Sequence, residues 1–250
     1  MTQPSLLCVH AHPDDEALWT GGTLARFADA GARTGVVTCT WTEGTRRVAE
    51  LARSLDILGA GEPRLLRYAD GSAGLSAPGA ARFVDAPLDE AVGRLVGHIR
   101  DFRPDVVITY DGYGGYGHPD HIHAHRVTLA AVEAAGYDQL YPAAGPSWRP
   151  GALYLVTLPR SIVRSAWEEI FGAPPGEDQT LPGIADDEIT ATVDVRPWTE
   201  RKWAAVRAHE SEFERGATMG MLAALPGAAR DRLLATEWYT GGDPKLSLLD

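Results

Sequence analysis

The chain has 250 residues, of which 44% are hydrophobic and 23% charged, and a net charge of −11. That length can bury a core without disulfide or metal staples, and the composition excludes a disordered chain. The 27 glycines follow no three-residue period, which excludes a collagen-like fibre. The acidic balance, with no basic cluster beyond Arg46–Arg47, argues against a nucleic-acid partner.

Two cysteines, Cys8 and Cys39, fall in predicted strands and cannot build a disulfide framework; they read as buried thiols in a reducing compartment. No positive charge precedes Arg26, and no apolar run approaches the ~20 residues of a membrane span. The expectation is a cytoplasmic protein of one domain acting on a small molecule, with no nucleic-acid or membrane partner.

In chain order, Ser5–His10 reads as a buried strand, followed by the polar loop Ala-His-Pro-Asp-Asp-Glu. A helix is expected over Thr20–Ala30, with Thr20 as N-cap and Gly31 as stop. Thr34–Thr40 is a β-branched strand, and Arg47–Leu58 an amphipathic helix with Val48, Leu51, Leu55 and Leu58 on one face. Arg64–Tyr68 is a third strand, residues 70–87 a Gly/Ala/Pro-rich loop, Leu88–Phe102 a helix and Val106–Tyr110 a fourth strand. A glycine-rich segment, Asp111–Gly117, then leads into His-Pro-Asp-His-Ile-His-Ala-His and a helix to about Ala135.

This alternation predicts an α/β fold: a Rossmann-like, mostly parallel sheet with helices on both faces. Residues 1–140 form that core in this reading, and residues 141–250 a smaller α/β extension shaping the cleft. In the extension, strands are expected at Ala152–Leu158 and Thr190–Val195, and helices at Ser161–Phe171 and Trp198–His209.

Two motifs each follow a predicted strand: His12-Pro-Asp-Asp-Glu16 and His118-Pro-Asp-His121. Ligands of open α/β sheets bind at the carboxyl ends of strands, where strand order reverses, so adjacent first and fourth strands would bring both motifs to one crevice. Four of the eight histidines fall within residues 118–125. Imidazole and carboxylate are ready zinc ligands, and a catalytic site uses three of them and leaves a fourth position open. His12, Asp15 and His121 fit that count; ferrous iron accepts the same donors. Asp14 is then free to act as a general base, and His118 to act as an acid or to steady a developing oxyanion. Asp120 is placed to orient that imidazole, and Tyr116, in its glycine-flanked loop, to swing a hydroxyl onto the oxyanion. The plain alternatives are acids compensating a helix dipole and histidines on a solvated helix face. His121 and His125 also form an HxxxH pair, and His123 reads as structural. Trp41 is either core or a surface for a sugar ring, and Asp70-Gly71 either a turn or a partner for sugar hydroxyls.

The two motifs together resemble the PIG-L/LmbE-like family of zinc-dependent N-acetylglucosaminyl deacetylases, above all its actinobacterial mycothiol-pathway branch, which deacetylates an N-acetylglucosaminyl inositol. The resemblance runs from Leu6 to about Ala135 and resumes at Lys202–His209, which looks like the family's KxxAxxxH helix. It implies His12, Asp15 and His121 as zinc ligands, Asp14 as base, and His118 as the imidazole at the leaving group or oxyanion. It also implies Asp120 behind that imidazole, Tyr116 as a mobile tyrosine, and Arg47 (or Arg46) at the substrate. Two departures touch the substrate side: a short segment between Glu43 and Arg47, and His209-Glu-Ser-Glu212 where the family often carries Gln. The expected reaction releases acetate and a free amino sugar. The rivals are an amidase for larger mycothiol-like conjugates and a non-catalytic nucleotide-binding module. The module would lack GxGxxG and would set carboxylates against a pyrophosphate.

Overall fold

The computed structural model describes residues 3–71, 76–176, 178–216 and 218–242. Seven strands form one sheet: β1 (Leu6–His10), β2 (Thr34–Thr40), β3 (Arg64–Tyr68), β4 (Val106–Tyr110), β5 (Ala152–Thr157), β6 (Ala191–Asp194) and β7 (Thr236–Gly241). Their order is β3-β2-β1-β4-β5-β7-β6. The first five run parallel, and β7 and β6 close one side antiparallel. Every residue of β1, β2 and β4 is buried, as expected for parallel strands covered on both faces.

The helices are α1 (Asp15–Asp29), α2 (Arg46–Leu58), α3 (Leu88–Phe102), the single turn α4 (Gly114–Gly117), α5 (Pro119–Ala135), α6 (Arg160–Phe171), α7 (Thr199–Arg207), α8 (Glu210–Glu214), α9 (Thr218–Ala224) and α10 (Gly227–Leu234). None among the described residues is long and apolar enough to cross a membrane.

The chain winds from β1 outward through β2 to β3, then returns to lay β4 on the other flank of β1, with Leu6, Leu7 and Cys8 opposite Val106, Val107 and Ile108. The order therefore reverses between β1 and β4, and the two motifs leave the sheet side by side there. Cys8 and Cys39 are free, fully buried thiols on the adjacent strands β1 and β2.

Three differences from the sequence reading matter. Helix α1 starts at Asp15 and not at Thr20. The run Asp15–Glu16 is the acidic first turn that a helix dipole favours, and Thr20 is buried mid-helix, its hydroxyl bonded to Glu16 O and His10 Nε2. The loop expected at residues 70–87 holds a 3₁₀ turn at Phe83–Asp85; its residues 72–75 lie outside the described residues. Strand β7 and helices α8 to α10 were not anticipated. Strand β7 matters most: its Glu237 accepts bonds from Gly22 N (2.8 Å) and Thr23 N (2.9 Å), fastening α1 to the antiparallel side of the sheet. A side chain at Gly22 would meet Val195 at 2.4 Å, so this approach needs glycine.

A candidate metal centre at the switch point

Three candidate ligand atoms from two strand ends converge. His12 Nδ1 lies 3.2 Å from His121 Nε2, and Asp15 Oδ2 lies 3.4 Å from each of them. A tetrahedral zinc with bonds of about 2.0–2.1 Å separates its ligands by about 3.3–3.4 Å, so the triangle has the spacing of three corners of such a site. All three residues are buried: His121 is 0%, Asp15 5% and His12 7% exposed.

The local sequence explains how each ring is aimed. His118 caps α5 through Nδ1, which accepts from Asp120 N at 3.2 Å, and Pro119 occupies the first helical position. That start turns His121 inward. Gly114, at φ 68°, lies so close that a side chain would meet His121 Cβ at 2.6 Å, and its carbonyl accepts from His121 Nδ1 at 3.0 Å. With Nδ1 as donor, Nε2 keeps its lone pair for the triangle. His12 is held the other way round: Nε2 faces Asp120 Oδ2 at 3.2 Å and leaves Nδ1 to the triangle. Carboxylates and carbonyls behind metal-binding imidazoles fix tautomer and basicity in this manner. Asp15 Oδ2 also accepts from His12 N (2.8 Å) and from the Tyr110 hydroxyl (2.7 Å), and the Tyr110 ring stacks on His121 at 4.2 Å.

The buried acids favour positive charge on the imidazoles beside them. Burial disfavours charge on His12, yet its bonds to Asp120 and Asp15 outweigh that and raise its pKa to about 10. Burial acts to raise Asp15, but the two imidazoles hold it well below the usual carboxylate range. Buried carboxylates facing buried imidazoles form a donor set suited to a divalent ion.

Asp14 flanks the triangle with backbone torsions of φ 132° and ψ −28°. Its N–H donates to Glu16 Oε2 at 3.0 Å, and its Oδ2 faces Arg47 Nη2 at 3.2 Å. Arg47, 5% exposed, also binds Pro13 O and Glu212 Oε1, the latter at 3.1 Å. Burial pushes the Asp14 carboxyl up to about 7 against the pull of Arg47, within the range suited to a general base near neutrality. Burial, reinforced by the neighbouring His12 and His121, holds His118 below its ordinary value. Its ring is then neutral near pH 7, and with Nδ1 accepting, Nε2 is the donor.

Of the other expected residues, Tyr116 stacks on Trp19 (6.3 Å, 6°) and sits edge-on to His121 (5.1 Å), with 52% of its surface exposed. Asp70 is 3.9 Å from His12 Nε2. Both line a cavity of about 670 Å³ together with His12, Asp14, Asp15, Arg47 and His118.

Some placements differ from expectation. The Asp120 carboxylate binds His12 and Gly71 N, not His118; only its backbone N–H reaches His118, because capping fixes that ring at the helix start. Trp41 does not line the cavity but packs against the core, 5.0 Å from the Arg47 guanidinium carbon. Arg46 is turned outward to Glu50, Glu210 and Glu214, which leaves Arg47 at the site. His125 bonds Tyr110 O and not the triangle, and His123 packs on Phe83. Sequence reasoning did not find Tyr110. For His209 the sequence leaves open whether it reaches the site or caps a helix end; it reaches the motif, with Nε2 2.7 Å from Glu16 Oε1 in a buried contact. Ser54 Oγ donates to the same Glu16 oxygen at 2.5 Å.

A protein of Rhodococcus erythropolis, a 1D-myo-inositol 2-acetamido-2-deoxy-alpha-D-glucopyranoside deacetylase, is 43% identical over 241 residues, covering 83% of this chain and 80% of its own. One of the same name from Mycobacteroides abscessus is 38% identical, covering 97% and 95%. Among solved structures, a conserved protein of Thermus thermophilus superposes with a TM-score of 0.65 at 26% identity, covering 99% and 97%. The N,N'-diacetylchitobiose deacetylase of Pyrococcus horikoshii shares the fold at TM-score 0.64 and 18% identity, covering 96% and 83%. The family model described as PIG-L: GlcNAc-PI de-N-acetylase matches residues 7–132, the stretch that carries both motifs, and the chain belongs to that family.

Proposed function

We propose that this protein removes the acetyl group from an N-acetylglucosamine-like amino sugar, such as an N-acetylglucosaminyl inositol or a secondary-metabolite glycoside, yielding acetate and a free amine. The observation that carries the reading is the His12–Asp15–His121 triangle with Asp14 beside it, with His12, Asp14 and Asp15 lining a cavity. These three residues would hold zinc; ferrous iron fits the same donors. When bound, such an ion supplies Lewis-acid polarisation of the amide carbonyl and a water acidic enough to ionise near neutrality.

This chain's residues do the rest. Asp14 takes the proton of the attacking water and returns it to the departing nitrogen. The Tyr116 hydroxyl and the His118 Nε2–H donate to the oxygen on which charge develops. Asp120 keeps His12 in the tautomer that faces the triangle, and Arg47 fixes the Asp14 carboxylate. Arg47 and Asp70 line the cavity wall, where they bond sugar hydroxyls. Trp41 acts behind Arg47 and not as a stacking surface.

The test uses the zinc-loaded protein and methyl N-acetyl-glucosaminide, following acetate, primary amine and metal content together. Asp14→Ala is expected to keep its metal and lose about 10²–10⁴-fold in turnover, whereas His12→Ala loses the metal. Near-normal turnover in the first variant, or full metal occupancy in the second, refutes the assignment.

A further inference from the structure

Helix α6 carries apolar residues at helical spacing, including Ile162, Trp167 and Ile170, and ends in Phe171. A stripe of this kind normally packs into a core, yet no residue of α6 is buried, and Ile170 and Phe171 are 37% and 54% exposed. Trp167 and Phe171 pack ring to ring at 4.3 Å. The stripe lines the same cavity of about 670 Å³ as His12 and Asp15, and Leu234 and Trp238 add to the apolar lining. This volume is that of sites enclosing drug-sized ligands.

We propose that this wall is a substrate subsite for an apolar alkyl or aryl group carried by the amino sugar, on its aglycone or in place of the acetyl methyl. The inference rests on the deacetylase reading and names its substrate class. The wall lines one cavity with His12, Asp14 and Asp15, so a substrate reacting beside those residues lies within reach of it. The lining also holds Arg47, Asp70, Glu212 and Arg215, but along this wall an inositol, hydroxylated at every free carbon, would meet only indole N–H donors. An alkyl or aryl group would be removed from water there.

Two arms locate the group. Hexyl and methyl N-acetyl-glucosaminides test the aglycone; N-hexanoyl- and N-acetylglucosamine test the acyl side. About fourfold per fully buried methylene is the ceiling, so a preference of about tenfold or more in kcat/KM is expected in one arm. Replacing Ile162 by Asn and Trp167 by Ala, on a helix with no buried residue, should cut that preference to about twofold. Binding of hexyl β-glucoside over methyl β-glucoside, read by tryptophan fluorescence, needs no acetamide and separates the two claims. Selective binding with no free amine released from any substrate supports the subsite and refutes the deacetylase reading. Free amine released with equal efficiency from the long and the short member of each arm overturns the subsite alone. A dimer in solution that Phe171→Glu dissociates, with no alkyl preference, assigns the wall to a second copy and also overturns it.

Discussion

Lys202→Met tests how the distal part of the chain supports the site. Lys202 Nζ lies 2.6 Å from Glu237 Oε1, and each side chain is 2% exposed. The same carboxylate accepts from Gly22 N, Thr23 N and Tyr239 Oη at 2.8, 2.9 and 3.0 Å. Methionine fills the volume but withdraws the only cation among these donors. The carboxylate stays buried with three neutral donors and an uncompensated charge. Breaking a buried pair from one side costs about 3–5 kcal/mol, which for a chain of this size lowers Tm by about 6–20 °C. Thermal and urea denaturation at one fixed zinc concentration measure this, since bound metal itself shifts Tm. The double variant Lys202→Met with Glu237→Gln should lose less than the sum of the single changes, by about 1–3 kcal/mol. Because Gly22 and Thr23 belong to the helix whose first residue is Asp15, the proposed ligand, zinc affinity should fall alongside. A Tm change below about 2 °C would refute the claim that the pair anchors α1.

Other outcomes follow from single contacts. Gly22→Ala raises helix propensity, yet its Cβ would meet Val195 at 2.4 Å; a net loss of about 1–3 kcal/mol is expected, and a higher Tm contradicts it. His121→Ala removes one corner of the triangle, and elemental analysis should find the metal largely gone; retained stoichiometric zinc would transfer the ligand role to another residue. Tyr116→Phe should keep its metal and lose about tenfold or more in kcat with little change in KM, the mark of a bond made only in the transition state. An unchanged kcat would remove Tyr116 from the oxyanion contacts.

The parallel half of the fold was legible because its strands are short apolar runs bounded by turns: Thr34–Thr40, Arg64–Tyr68 and Val106–Tyr110 fall where periodicity puts them. Strand β7 was missed because Thr236–Gly241 alternates half-buried and buried positions around a charged Glu237, with no local sign that a Lys 35 residues earlier neutralises it. The start of α1 was missed because Pro13 and three acids read as a loop, although acids suit a helix's first turn. The convergence of His12, Asp15 and His121 was legible because both motifs sit at strand ends. The partners that aim it were not: Asp120 reaching His12 across 108 residues, and His209 reaching Glu16 across 193, depend on topology that no local pattern encodes.

Asp14 is where chemistry and durability pull apart. Among the described residues, the other non-glycine positions with positive φ lie between 49° and 70°, near the left-handed well, whereas Asp14 stands at 132°. Such a torsion costs a side-chain-bearing residue about 1–3 kcal/mol, and a glycine would adopt it freely. The mutation that most relaxes this turn is therefore one that deletes its carboxylate. With Asp14 as the proposed base, selection for heat resistance alone would drift toward a sturdier but inert protein, so screens for robust variants need turnover as a second criterion.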